Sequence, residues 1–183
     1  MIVLYRVFPY LATAAADAPG GALYLPPQGG GRLDNPAAYS VLYLSDHAEG
    51  AIAEAFGRFP EWMSAMLAGS PALPGSIRAI ARYQLGDESP VCNLDDPRRL
   101  VALKLRPSQV VSRDYARTRT WALEIYRQAK WAGVRWWSYY DPRWSSFGLW
   151  DARSLKLEEV TALTLRYAPL LDASRAIARR VIE

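Results

Sequence analysis

The chain opens on Ile2-Val3-Leu4-Tyr5-Arg6-Val7-Phe8, a run of β-branched and aromatic residues that predicts a strand. Between Pro19 and Asp34, five glycines and three prolines predict an irregular segment, interrupted by a short strand at 22–25. Residues 40–44, Ser-Val-Leu-Tyr-Leu, read as a short buried strand. Asp46 with Glu49 three residues later matches a capping box, and Ala48, Ala51, Ile52, Ala55 and Phe59 continue at the helical period. Pro60 then suits the first turn of a second helix that ends near Gly69.

In the second half, Arg78, Ile80 and Arg82 alternate with Ala79, Ala81 and Tyr83, the period of a strand. Asp95-Asp96-Pro97 opens a helix predicted to run to about Leu105. The longest helix is expected over 115–131, closed by Gly133, with Trp121, Ile125 and Gln128/Ala129 on one face. Strands are predicted at 134–140, 147–150 and 155–164, the first two separated by the Asp141-Pro142 turn. An amphipathic helix is expected over 172–182, with Ala176, Ile177 and Val181 opposite its arginines. No repeat and no linker interrupts this order. Helices and strands alternate without a regular βαβ rhythm, so the expected class is α+β, a single domain over 1–183.

Composition narrows the chemistry. Of 183 residues, 51% are hydrophobic and 22% charged, which excludes disordered and collagen-like chains. No apolar run approaches the roughly 20 residues of a membrane span, and Met1 to Tyr10 lacks the pattern of a secretory signal. A cytoplasmic protein without membrane contact is expected. One cysteine, Cys92, excludes an intrachain disulfide and a thiolate cluster. One histidine, His47, excludes a paired-histidine zinc site, so no metal is expected. No Gly-x-Ser-x-Gly elbow, no P-loop lysine and no Gly-x-Gly-x-x-Gly turn is present.

Charge is uneven along the chain. Up to Ile77 there are three basic and six acidic residues, a net of −3; from Arg78 onward there are 19 basic and 12 acidic, a net of +7. Arginine supplies 19 of the 22 cations, and its fork suits carboxylates and phosphates. The cations are scattered rather than clustered, so direct nucleic-acid binding is not expected. A distinct polar set stands in apolar surroundings: Arg32 after the glycines, Tyr43 in the short strand, Glu54 beside the apolar stripe of the helix, and Ser138 in an aromatic strand.

In order, Gly31-Arg32-Leu33-Asp34-Asn35-Pro36, Val41-Leu42-Tyr43-Leu44-Ser45, Ala51-Ile52-Ala53-Glu54 and Gly133-Val134-Arg135-Trp136-Trp137-Ser138 resemble the RES-domain toxins, from Tyr5-Arg6 to the last helix. In that resemblance Arg32, Glu54 and Ser138 take the naming arginine, glutamate and serine positions, and Tyr43 the aromatic one; Ser145 and Ser146 lie nearby. The resemblance implies a fold similar to ADP-ribosyltransferases, with central, mostly antiparallel strands flanked by helices. It further implies the toxin half of a bacterial toxin–antitoxin pair that consumes NAD as substrate. Its partner would be an antitoxin similar to Xre-type DNA-binding proteins, covering the active site.

The residue types suit that chemistry. Cleaving the nicotinamide–ribose bond creates an oxocarbenium-like ribose, which a carboxylate such as Glu54 stabilises. Nicotinamide departs as a neutral molecule, so no general acid is required. Tyr43 suits stacking on nicotinamide, Arg32 a phosphate or the ribose, and Ser138 a hydrogen bond to ribose or carboxamide. Arg6 is a second candidate for the pyrophosphate, with Tyr5 beside it on the first strand. Water, inorganic phosphate and a protein side chain all remain open as acceptor. Two other classes remain beside this one: a basic RNA-binding or ribonuclease toxin, and an interaction protein whose aromatic strand binds a partner.

Overall fold

The computed structural model describes residues 1–151 and 153–182. Nine strands and five helices occur among them: β1 (Ile2–Tyr10), β2 (Leu42–Ser45), α1 (Ala48–Phe56), β3 (Glu61–Trp62), β4 (Ile77–Leu85), β5 (Val91–Asn93), α2 (Pro97–Ala102), α3 (Pro107–Val110), α4 (Tyr115–Arg127), β6 (Gly133–Trp137), β7 (Ser145–Leu149), β8 (Leu155–Ala162), α5 (Ala168–Ala176) and β9 (Arg180–Val181). Seven strands form one sheet in the order β5-β6-β7-β2-β1-β4-β8. Only the β5–β6 pair of that sheet is parallel. The expected α+β class with a mostly antiparallel centre is what forms.

The period-2 alternation of β1 assigns its two faces. Leu4 and Phe8 join Tyr83, Leu85, Leu42, Phe147 and Leu149 on one side, while Tyr5 and Val7 turn to the other. There α1 and α5 lay Ile52, Phe56, Leu170 and Ala173 on the sheet, with Trp62 between them. A third cluster fills the β5–β6 end, where α2, α3 and α4 contribute Leu100, Val110, Trp121 and Ile125. Burial of such apolar stripes, at roughly 25 cal/mol per Å², holds these elements to the sheet.

The register of β1 matters most for function. It pairs with β4 over all nine residues but meets β2 at one position, Tyr5 opposite Ser45. Beyond that pair the two strands separate, and the sheet is split.

Several elements differ from their sequence-based expectation. Residues 22–25 form no strand; the segment is a string of turns tied to the sheet by the hydroxyl of Tyr83, which donates to the Ala22 carbonyl at 2.6 Å. Asp46 does not cap α1. Its carboxylate accepts from the Ser145 backbone N–H at 2.8 Å and lies 2.7 Å from His47 Nδ1, so it joins β7 to the helix entrance instead. The helix expected from Pro60 is replaced by β3 and a 3-10 turn at Ser64–Leu67. The fully buried Trp62 decides this: its indole donates to the Phe56 carbonyl, and its strand pairs in parallel with β9. The last helix accordingly starts four residues earlier than expected, at Ala168, and stops at Ala176, leaving Arg180 and Val181 for that pairing. Ala129, in a left-handed conformation at φ 52°, stops the longest helix short of Trp131.

Trp62 ties α1, α5 and the small sheet together, so Trp62→Ala is expected to destabilise the fold by about 3–5 kcal/mol. Denaturant unfolding followed by circular dichroism measures it, and a loss below 1 kcal/mol would contradict the packing described.

Candidate active site

The separation of β1 from β2 opens a cleft of about 380 Å³. Residues from both faces of β1 border it, since Tyr5, Arg6 and Val7 stand where the strands part, facing Tyr43 and Leu44 of β2. One wall is α1, through Ala51, Glu54 and Ala55; the opposite wall is the glycine-rich loop with Gly31 and Arg32, backed by Tyr115 and Trp136.

The loop is built around Asp34. Its Oδ2 accepts from the backbone N–H groups of Gly29 and Gly31 at 2.6 and 2.8 Å, and its Oδ1 accepts from the Tyr43 hydroxyl at 2.6 Å. The Tyr43 oxygen in turn accepts from the Leu33 N–H at 2.9 Å. These bonds hold the Asp34 carboxyl below the usual carboxylate range in spite of its burial, and burial with the Asp34 bond pushes the Tyr43 phenol far up. Tyr43 is therefore a neutral donor with an anchored hydroxyl, offering only its ring to the cleft. The loop lies so close to that ring that a Cβ at residue 31 would overlap both the Tyr43 hydroxyl and Asp34, which only glycine avoids. Arg119 of α4 completes the hold, donating to the Gly31 and Gly29 carbonyls at 3.0 and 2.7 Å.

Arg32 is set by this loop. Its Nη1 donates to the Val110 carbonyl at 3.0 Å, and its guanidinium lies 6.0 Å from the Tyr115 ring and 5.9 Å from the Trp136 ring. The guanidinium is thus held by two aromatic rings, with its charge directed to the cleft and, among the described residues, no carboxylate within ion-pair distance.

Glu54 faces Arg32 from α1. Ser138, just past the end of β6, donates its hydroxyl to Glu54 Oε1 at 2.9 Å, and Ser146 of β7 reaches the same oxygen at 3.5 Å. The Ser138 oxygen also accepts from the Tyr140 N–H at 3.2 Å. Loss of hydration against the protein wall pushes the Glu54 carboxyl above its ordinary range, while the Ser138 bond and the Arg32 charge oppose that rise. Glu54 nonetheless opens on the cleft. The result is a carboxylate of raised basicity with one oxygen fixed from behind.

Arg32, Tyr43, Glu54 and Ser138, distant in sequence, converge as the sequence motifs led us to expect. The details differ in two respects. Ser138 is buried and its single proton goes to Glu54, so it positions the carboxylate rather than facing a ligand. Arg6 borders the cleft, but its Nη1 donates to the carbonyls of Ala22 and Tyr24 at 3.2 and 2.9 Å, which ties down the turn segment. Tyr5 sits at the joint of the split. Among the neighbouring serines, Ser146 reaches Glu54 while Ser145 points away, bonded to Arg135 and Asp95. Sequence reasoning missed Tyr115 and Trp136 as cleft residues; the aromatic-rich Trp136-Trp137 run and the Asp114 cap were the available signals. Among the described residues no cluster of histidine, cysteine or carboxylate side chains suits a metal ion, and no helix is long and apolar enough to cross a membrane.

No curated protein sequence matches the chain. Among solved structures, it is similar to a chain of the M. tuberculosis MbcT–MbcA toxin–antitoxin complex, at 17% identity over 97% of this chain and 89% of that one, with a TM-score of 0.62. That likeness establishes a shared fold. The RES domain profile matches residues 3–171, from β1 into α5 and across every residue of the cleft. The chain belongs to the RES-domain family.

Proposed function

We propose that the protein is the toxin of a toxin–antitoxin pair and that it cleaves the nicotinamide–ribose bond of NAD. The observation that carries this reading is the Glu54 carboxylate, fixed by Ser138 and facing Arg32 across a cleft of ligand size. In the reaction, the bond between ribose C1′ and the pyridinium nitrogen breaks and its electron pair passes to the ring, which leaves as neutral nicotinamide. Positive charge develops on the ribose. Glu54 stabilises it and binds the 2′-hydroxyl, an interaction that strengthens as the cation forms. The Tyr43 ring suits stacking on nicotinamide, and Arg32 suits the diphosphate. Water or inorganic phosphate then adds to C1′ and gives up its proton to solvent.

A protein that drains NAD arrests its own cell, so an inhibitor is required. The partner on this reading is a cognate antitoxin of the Xre-like kind, seated over the cleft. A net of +7 over residues 78–183 favours encounter with an acidic segment of that partner. A second reading, mono-ADP-ribosylation of a protein, uses the same site with a different acceptor. Labelled NAD added to a cell lysate separates the two, since only the second leaves label on protein.

Glu54→Gln is expected to abolish nicotinamide release and to remove toxicity on expression. The folded pKa of Glu54 lies above its unfolded value, so its ionised form opposes folding near neutral pH. The Gln variant should therefore melt at the same or a higher temperature. Turnover by a folded Glu54→Gln protein at the parent's rate would refute the assignment.

The same shift sets a pH dependence. Glu54 acts ionised, so kcat/KM should fall as pH drops through a midpoint above the ordinary glutamate value of about 4.3. A midpoint at or below that value contradicts the desolvation described.

Arg32→Ala should weaken NAD binding by about 1.5–3 kcal/mol, one to two decades, mostly in KM. Unchanged KM would remove Arg32 from the diphosphate.

A further inference from the structure

Beyond the four residues already assigned, the cleft carries an exposed aromatic whose ring packs on arginines rather than in the core. Tyr115 is the first residue of α4; it lines the cleft, yet it is 39% exposed and belongs to none of the three apolar clusters. Its ring is nonetheless fixed. The guanidinium of Arg32 lies 6.0 Å from its centroid and that of Arg119 5.9 Å, and Arg119 is immobilised by the Gly29 and Gly31 carbonyls.

Three groups therefore stand in sequence along the cleft. Glu54 stands at one end, bonded to Ser138 and Ser146; Arg32 is next, close enough to Glu54 to act on its charge; Tyr115 follows, its ring 6.0 Å from the Arg32 guanidinium. A carboxylate, a cation and an exposed ring match, in the same order, a ribose, a diphosphate and a nucleobase.

We propose that Tyr115 is the stacking platform for the distal purine of a dinucleotide, and that it gives the enzyme its preference for dinucleotides over mononucleotides. This rests on the NAD reading for the identity of the substrate. The purine stacks on the Tyr115 ring while the diphosphate reaches back to Arg32. Stacking on tyrosine does not depend on base-edge hydrogen bonds, so the subsite accepts a purine with little discrimination between adenine and hypoxanthine.

Calorimetric binding of AMP and of nicotinamide mononucleotide to the intact protein tests the proposal without requiring turnover. Tyr115→Ala should weaken AMP binding about tenfold, the loss of one base–aromatic stack, and leave nicotinamide mononucleotide within twofold of the parent. Tyr115→Phe should retain both affinities, and with NAD the Ala variant should raise KM while kcat holds. Equal weakening of both ligands would mean that Tyr115 only holds Arg32, and no change in AMP binding, or no AMP binding by the parent protein, would equally overturn the subsite. If AMP behaves as stated while the parent protein releases no nicotinamide, the subsite stands and the proposed reaction falls.

Discussion

The site depends on one constraint in strand pairing: β1 and β2 meet at a single residue pair and then part. Had they remained paired, the backbone of β2 would close against Arg6 and Val7, and no cleft would exist. Their separation is held open from both sides. On one side α1 follows β2 after a two-residue connection, Asp46 and His47, and presses Ile52 and Phe56 onto the sheet, which carries Glu54 to the edge of the gap. On the other, the loop before β2 is locked by Asp34 to the Tyr43 hydroxyl, which turns Arg32 inward. The cleft is thus a property of register rather than of any flexible element.

The electrostatics follow from that geometry. Glu54 opens on the cleft, yet the protein around its carboxyl takes away part of its hydration and disfavours the anion. Ser138 and Ser146 supply hydrogen bonds and Arg32 supplies charge, yet burial still dominates and the carboxyl remains more basic than usual. A carboxylate held in this balance gains most when a positive charge arrives beside it. That is the situation created when a glycosidic bond to a cationic ring breaks, so its interaction is stronger in the transition state than before it. The aromatic flanks of Arg32 and its bond to the Val110 carbonyl hold its guanidinium in the same way, fixed before a ligand arrives.

Much of this was legible in the chain. The β-branched and aromatic run Ile2–Phe8 and the alternation in Arg78–Tyr83 gave the two longest central strands, and the Tyr43 strand followed by the Ala51-Ile52 stripe placed Glu54 beside the apolar face of its helix. The motifs around Arg32, Glu54 and Ser138 indicated residues that do converge. Other features were hidden because they depend on partners far along the chain. Glu61–Trp62 is a strand only because Arg180–Val181 lies beside it, a pairing that no local pattern encodes. Asp46 has the spacing of a helix cap, but the Ser145 backbone, a hundred residues away, offers it a better use. The direction of the Ser138 hydroxyl and the exposure of Tyr115 likewise follow from tertiary placement, not from the identity of the residues around them.

The central claim is that this cleft breaks the nicotinamide–ribose bond. Incubation of the purified protein with NAD, followed by proton NMR, tests it most directly, because bound and free nicotinamide rings have separate resonances. The account predicts that free nicotinamide appears at the rate at which NAD disappears, with the adenosine half intact. Folded protein that leaves the NAD spectrum unchanged, or that splits the dinucleotide at the diphosphate instead, would contradict it.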